Sequence, residues 1–302
     1  MSRCRSESGQ SVVLAVVFLT VLMGMAALVV DVGSWYKAQR DAQVAADAAA
    51  LAGAQALPED SAGAKALAAD YAVKNGGGLT KSDVTASVVP GDTIEVEVHR
   101  EAPGFFAKIF GIKKTGIAAK ASARAANPAE AKWVAPVVVH HLHPDLHSFG
   151  KPTTIELADL HKPGGGDAAG AFGLIKLLRD GNGSVGADEL AEWVERGFDQ
   201  YMPLGKYYSV PSSMFNSSQF RNAMDFRMGD DLLFPIYRTI LKSGSNAEYD
   251  VIGWVGFHVT GRKGGGDTGT LEGWFTRIIT EGISSEKAGD PDYGVRVVSL
   301  VE

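Results

Sequence analysis

The chain has 302 residues, 45% of them hydrophobic and 9% aromatic, which is enough to bury more than one core and too apolar for a disordered polymer. A formal net charge of -6, with no long Lys or Arg run, argues against a nucleic-acid partner gripped through counterion release. The single cysteine, Cys4, precedes the first apolar run, so everything beyond it folds without a disulfide.

From Val12 to Val30 every residue is apolar or small, Thr20 and Gly24 being the least apolar. As a helix this run is roughly 28 Å long, the thickness of a bilayer core. Arg3 and Arg5 precede it, whereas Lys37 and Arg40 come only after Asp31. That bias is slight, but it predicts a cytoplasmic N-terminus, a single span and an extracytoplasmic remainder. Trp35 and Tyr36 suit the outer interface. A cleavable signal peptide competes with this reading, because Gly24-Met25-Ala26 offers small residues for cleavage. Against it, the apolar run continues past that point and passes into more helix. The adjoining alanine-rich stretch meets its first strong breaker at Pro58, so one helix is expected from about Ser11 to Leu57. Ala38, Ala42, Ala45, Ala46, Ala49 and Ala52 give it a small-residue surface. Such a surface serves either close approach to a neighbouring helix or packing on the chain's own domain.

Gly9-Gln10 before the apolar run, Asp31-Val32-Gly33 closing it, Trp35-Tyr36, and the alanine-rich Ala45 to Ala54 carry a family resemblance. Together they look like the N-terminal segment of TadE/TadG-like proteins of the tight-adherence (Flp) pilus assembly system. A second block, Val96 to Arg100, then Ala102 to Gly111 and Ala118 to Ala126, resembles the region C-terminal to that segment in the same family. The resemblance implies a membrane-anchored, pilin-like structural or assembly component at the cell surface, in contact with the lipid bilayer and with other pilus assembly or pilin subunits, in an adhesion system. The N-terminal helix is thus expected to be a membrane and packing element, with Thr20 and Gly24 of the apolar run and Asp31, Trp35, Tyr36, Ala45, Ala49 and Ala52 of the family-like segments as its notable positions. The chain departs from related patterns in two places. Leu14 stands five residues after Gly9, where prepilin peptidase substrates usually carry glutamate, and the Asp-x-Ser-x-Ser of a von Willebrand factor A metal site does not occur.

Residues 58–126 read as a small α+β unit that suits a pilin-like layout. It has a helix over Ala64 to Lys74, a break at Gly76-Gly77-Gly78, alternating strands at Val84 to Val89 and Ile94 to His99, a short Phe105 to Phe110 helix and a strand over Gly116 to Ala125. Ala126 to Ala129 reads as a linker. In residues 127–302, Val134 to His140, Val251 to Thr260 and Val295 to Glu302 are strand-like, as is Leu232 to Arg238, where Pro235 predicts an edge or a bend. Leu190, Trp193, Val194, Gly197, Phe198 and Tyr201 recur at helical spacing behind Asp188 and Glu189. Ser217 or Ser218 caps a second helix bearing Phe220, Ala223, Met224 and Met228 and ended by Gly229. The expected class is therefore α+β. Residues 1–57 hold a cytoplasmic stub, a transmembrane helix and its Ala-rich extension, residues 58–126 the small unit, and residues 127–302 a larger, mainly antiparallel exported domain.

Among possible chemical sites, His140, His141, His143 and His147 form the densest cluster. On a strand, His141 and His143 would face the same way and could bind zinc or nickel, with His161 a further candidate; the competing reading is a polar strand end with solvated histidines. Asp180 to Ser184 begins like a calcium loop, but Val185 and Ala191 occupy the positions of the required glycine and glutamate, so a turn into a helix fits better. Lys162 to Asp167 and Lys263 to Asp267 are similar Gly-rich loops without the Gly-Lys-Ser/Thr of a phosphate loop. Ser284 to Lys287 and Lys114 to Gly116 mimic fragments of penicillin-binding enzymes in reversed order. With no Gly-x-Ser-x-Gly and no His-Glu-x-x-His, neither catalysis nor a cofactor is expected. The alternative function is a membrane-tethered extracytoplasmic binding protein or metal-dependent enzyme that works through residues 132–302.

Overall fold

A computed structural model describes residues 8–89, 91–157, 173–181, 184–242, 246–264, 269–285 and 291–301. The chain divides into two compact units, Met1–Ala125 with Ser299–Glu302, and Ala126–Val298.

The first unit is built on one 47-residue helix, α1 (Ser8–Ala54). Over Val12 to Val30 none of its side chains is buried, and among the described residues it is the one helix long and apolar enough to cross a membrane. This segment is a single-pass membrane anchor. Past Asp31 the same helix changes character, and Ala42, Ala45, Ala46, Ala49 and Ala50 are completely buried. Their cover is the chain's own α2 (Ser61–Asn75), which begins where the Asp60 carboxylate accepts the Gly63 N–H at 2.7 Å and which turns Ala64, Ala68 and Ala72 inward. Methyl-to-methyl packing lets the backbones approach closely. A Cβ at Gly53 would stand 2.7 Å from Ile94 Cδ1 and 2.9 Å from the Ala64 carbonyl oxygen, so only glycine fits there.

The strands β1 (Val84–Val89), β2 (Thr93–Pro103) and β3 (Lys114–Ala126) pair antiparallel in sequence order. Alternation puts Ile94, Val96 and Val98 of β2 into the core, and α1 packs against this strand.

The second unit contains β4 (Pro128–Ala131), β5 (Val139–His140), β6 (Pro152–Glu156), α3 (Ala187–Glu195), β7 (Met202–Pro203), β8 (Gly205–Tyr208), α4 (Ser218–Phe226), β9 (Asp231–Leu241), β10 (Glu248–Lys263), β11 (Thr270–Thr276), β12 (Ile278–Ile279), β13 (Gly282–Ser284) and the start of β14 (Val295–Val301), whose last residues, Ser299 to Val301, belong to the first unit. Its main sheet runs β5-β9-β10-β11-β6, with β8 also on β10, and a smaller sheet runs β13-β4-β7. Among the described residues these strands pair antiparallel except for β5 with β9 and β12 with β14. The core is aromatic: Phe257 lies between Phe234, at 5.7 Å between ring centroids, and Phe275, at 5.2 Å, with Trp254, Tyr237 and Tyr249 also buried. Leu190, Trp193 and Val194 of α3 and Phe220, Ala223 and Met224 of α4 are buried, and the Ser217 hydroxyl caps α4 by accepting the Phe220 N–H. The class is α+β behind an apolar N-terminal helix, as expected.

Three sequence expectations need correction. Val134 to His140 is a strand only at Val139–His140, because Pro136 interrupts it and its amides go to separate partners, Ala135 to Leu233 and Val138 to Gly173. The helix predicted from the Leu190 to Tyr201 stripe stops at Glu195, and the Phe198 N–H bonds to the Val134 carbonyl instead. Pro235 lies inside β9, a strand with neighbours on both sides, in the gap between its bridge to Val134 at Leu233 and its β5 pairing at Ile236. The proline's missing N–H falls where that neighbour is not paired.

Truncation of Phe257 to alanine should remove about 3–5 kcal/mol of stability, the cost typical of a large cavity among close-packed rings, read as a lower urea midpoint of the near-ultraviolet circular dichroism transition.

Candidate functional site

Where α1 leaves its apolar segment, Asp31, Trp35, Gln39, Gln43 and Asp47 recur every fourth residue and so lie along one face. Each is engaged. The Trp35 Nε1–H donates to the Pro103 carbonyl at 3.2 Å, Gln39 Nε2 to the Ala118 carbonyl at 3.1 Å, and Gln43 Nε2 to both the Lys120 carbonyl at 2.9 Å and the Asp47 carboxylate at 2.8 Å. The helix is thus stitched to β2 and β3 by side chains that reach backbone acceptors.

Asp31 makes the most concentrated contact. Its carboxylate accepts the N–H groups of Phe105 at 2.6 Å, Phe106 at 3.0 Å and Ala107 at 2.5 Å, and only 3% of the residue is exposed. Those amides open a short 3-10 helix, Ala107–Phe110, and the first amides of any helix lack partners within it. Phe106, at the N-cap position, has no side-chain acceptor to offer, so the cap comes from Asp31 across 75 residues of sequence. A carboxylate facing a cluster of amides is a charge-assisted arrangement, stronger than an ordinary amide-to-carbonyl bond. The turn closes at Gly111, whose φ of 86° favours glycine and whose N–H bonds back to Lys108. With its polar backbone turned inward, the loop leaves Phe105, Phe106, Ile109, Phe110 and Ile112 exposed.

The other positions singled out on α1 lie elsewhere. Thr20 donates to the Val16 carbonyl at 2.8 Å, a local bond within the helix, and Gly24 has nothing within 4 Å of where a Cβ would stand. Tyr36 is exposed, while Ala45, Ala49 and Ala52 are buried. Sequence reasoning missed the roles of Gln39 and Gln43; their signal was the fourfold polar repeat in an otherwise alanine-rich helix.

Beyond His140, which ends β5, the histidine cluster lies in a turn rather than on a strand, so alternation does not align His141 with His143. His143 Nδ1 accepts the Asp145 N–H at 3.2 Å and its Nε2 therefore donates to the Thr154 carbonyl at 3.0 Å, which occupies both ring nitrogens. His141 lies 4.7 Å from the His140 ring, and its buried Nδ1 has no hydrogen-bond partner among the described residues. Among those residues no three His, Cys, Asp or Glu side chains gather as a metal site requires. His161, the Lys162 to Asp167 loop, Asn182 and Gly183 of the calcium-like loop, residues 265–267 of the second Gly-rich loop, and Glu286 and Lys287 lie outside the described residues.

Burial, reinforced by its neighbours His141 and His143, holds the His140 imidazole below its ordinary value of 6.5 against an opposing backbone bond at Arg238. The unfolded chain therefore takes up this proton more readily than the folded one. The stability His140 contributes is present above 6.5 and is lost as pH falls toward the lower folded value. Lowering the pH from about 7.5 to about 5.5 should lower the urea midpoint, and His140→Gln should flatten that dependence. For the Asp31 contact, replacement by alanine should speed hydrogen exchange of the Phe105 to Ala107 amides by about tenfold or more and leave the buried α1 to α2 packing protected, as followed by mass spectrometry.

A search of curated proteins and a search of solved structures each return no match. Residues 9–56, which take in the apolar anchor, the Asp31 contact and the alanine-rich face, match the family described as putative Flp pilus-assembly TadE/G-like.

Proposed function

We propose that the chain is a pilin-like structural or assembly component of a tight-adherence (Flp-type) pilus, anchored with its N-terminus in the cytoplasm and everything beyond Asp31 outside. The observation that carries this reading is the coincidence of the family match over residues 9–56 with a helix that is bare along its apolar half and packed along its alanine half. In this reading the work is mechanical. The apolar half holds the bilayer, the alanine half carries the small unit, and other pilus subunits bind the exported surface. Catalysis has no part in it, and the partners are protein and lipid.

The test is protease treatment of intact cells or protoplasts expressing the C-terminally tagged chain, with mass spectrometry of the N-terminus and co-purification of pilus subunits. External protease should remove the tag, the N-terminus should be uncut, and pilus subunits should co-purify. A protected tag overturns the topology. A mature N-terminus near Gln10 or Ala27 would instead make the chain a processed pilin or a secreted protein.

A further inference from the structure

The loop that Asp31 holds presents five large apolar side chains within eight residues, and Ile109 and Phe110 are 79% and 84% exposed. These values exceed those of the bilayer segment itself, where Phe18 is 62% and Leu19 60% exposed. A water-facing turn gains nothing from such a composition, whereas a turn in contact with lipid does. Its position supports this. Asp31 directly follows Val30, the last residue of the apolar run, and an α-helix rises ~1.5 Å per residue, so the amides of Phe105 to Ala107 are fastened where α1 leaves the hydrocarbon. Lys108 and Lys113 flank the apolar tip and are exposed, a placement that suits anionic lipid phosphates. The Asp31 carboxylate accepts the amides of Phe105, Phe106 and Ala107, and the loop's own turn those of Ile109, Gly111 and Ile112, so most of the tip's amides enter an apolar medium already paired.

We infer that the Phe105 to Ile112 loop is a second membrane contact, inserted into the interfacial zone of the leaflet from which α1 emerges, with Phe110 and Ile109 deepest. The surface is continuous with that of the anchor, so its occupant is lipid; any other partner here would itself have to lie among the headgroups. The inference rests on α1 spanning a bilayer and adds that the first unit touches the same membrane at two places.

The lone native cysteine makes the test direct. Full-length Cys4→Ser chain carrying Phe110→Cys, or Ile109→Cys as a second site against local misfolding, is spin-labelled and reconstituted into phosphatidylcholine/phosphatidylglycerol vesicles. Collision with oxygen is compared with collision with a water-soluble nickel chelate. Labels at Leu22→Cys in the apolar run and Lys65→Cys on exposed α2 serve as references. Oxygen should dominate at Phe110 and Ile109, to a degree between Leu22 and Lys65. Chelate access at both loop sites equal to that at Lys65 would place the loop in water and overturn the inference. Exclusion of both reagents would mean cover by protein, such as a second copy, and would equally overturn it. If Leu22 itself is open to the chelate, the anchor reading fails rather than the loop assignment alone.

Discussion

Three backbone amides of residues 105–107 converge on the carboxylate of Asp31, and the architecture of the first unit depends on where that contact lies. The helix α1 must serve two solvents. Below Asp31 its apolar side chains need hydrocarbon, and above it the helix must be covered by protein. A polar group at the change of medium is costly unless its hydrogen bonds are satisfied, and the loop amides satisfy this one while Asp31 supplies the cap that Phe106 lacks. Each side removes the other's unpaired groups.

Beyond that junction, cohesion comes from small size rather than bulk. Alanines at the contact between α1 and α2 contribute little area each, but they let two backbones approach until Gly53 has no room for a methyl group. The second unit uses the opposite means, a sheet whose inner face is filled with phenylalanine, tyrosine and tryptophan rings. Helix by small-residue contact and sheet by aromatic packing are separate answers to one requirement, burial without disulfides.

Much of this was legible in local periodicity. The strand expected at Val84 to Val89 lies there, and the helix expected over Ala64 to Lys74 extends to Ser61–Asn75, because a two-residue alternation and an alanine repeat are properties of neighbouring residues. The apolar turn at Phe105 to Phe110 was also visible, though as an isolated helix. What the sequence withheld was its partner, since a bond across 75 residues leaves no local pattern. Periodicity misled where an apolar residue is buried by something other than its own element: Phe198 continues the α3 stripe but pairs with Val134, and the Val134 to His140 run has strand composition while its amides go to separate partners, Ala135 to Leu233 of β9 and Val138 to Gly173. The geometry inferred for the histidines failed for the same reason, because the strand that would have aligned them ends at His140.

The unbroken course of α1 has a mechanical consequence. A helix of 47 residues is ~70 Å long at ~1.5 Å per residue, and it passes Asp31 and Gly33 at the membrane boundary as continuous helix, with no proline to kink it. It behaves as a stiff lever rather than a tether. Torque or tilt applied to its half in the bilayer is carried along the same continuous backbone into the alanine-packed half, so the first unit takes its bearing from the membrane.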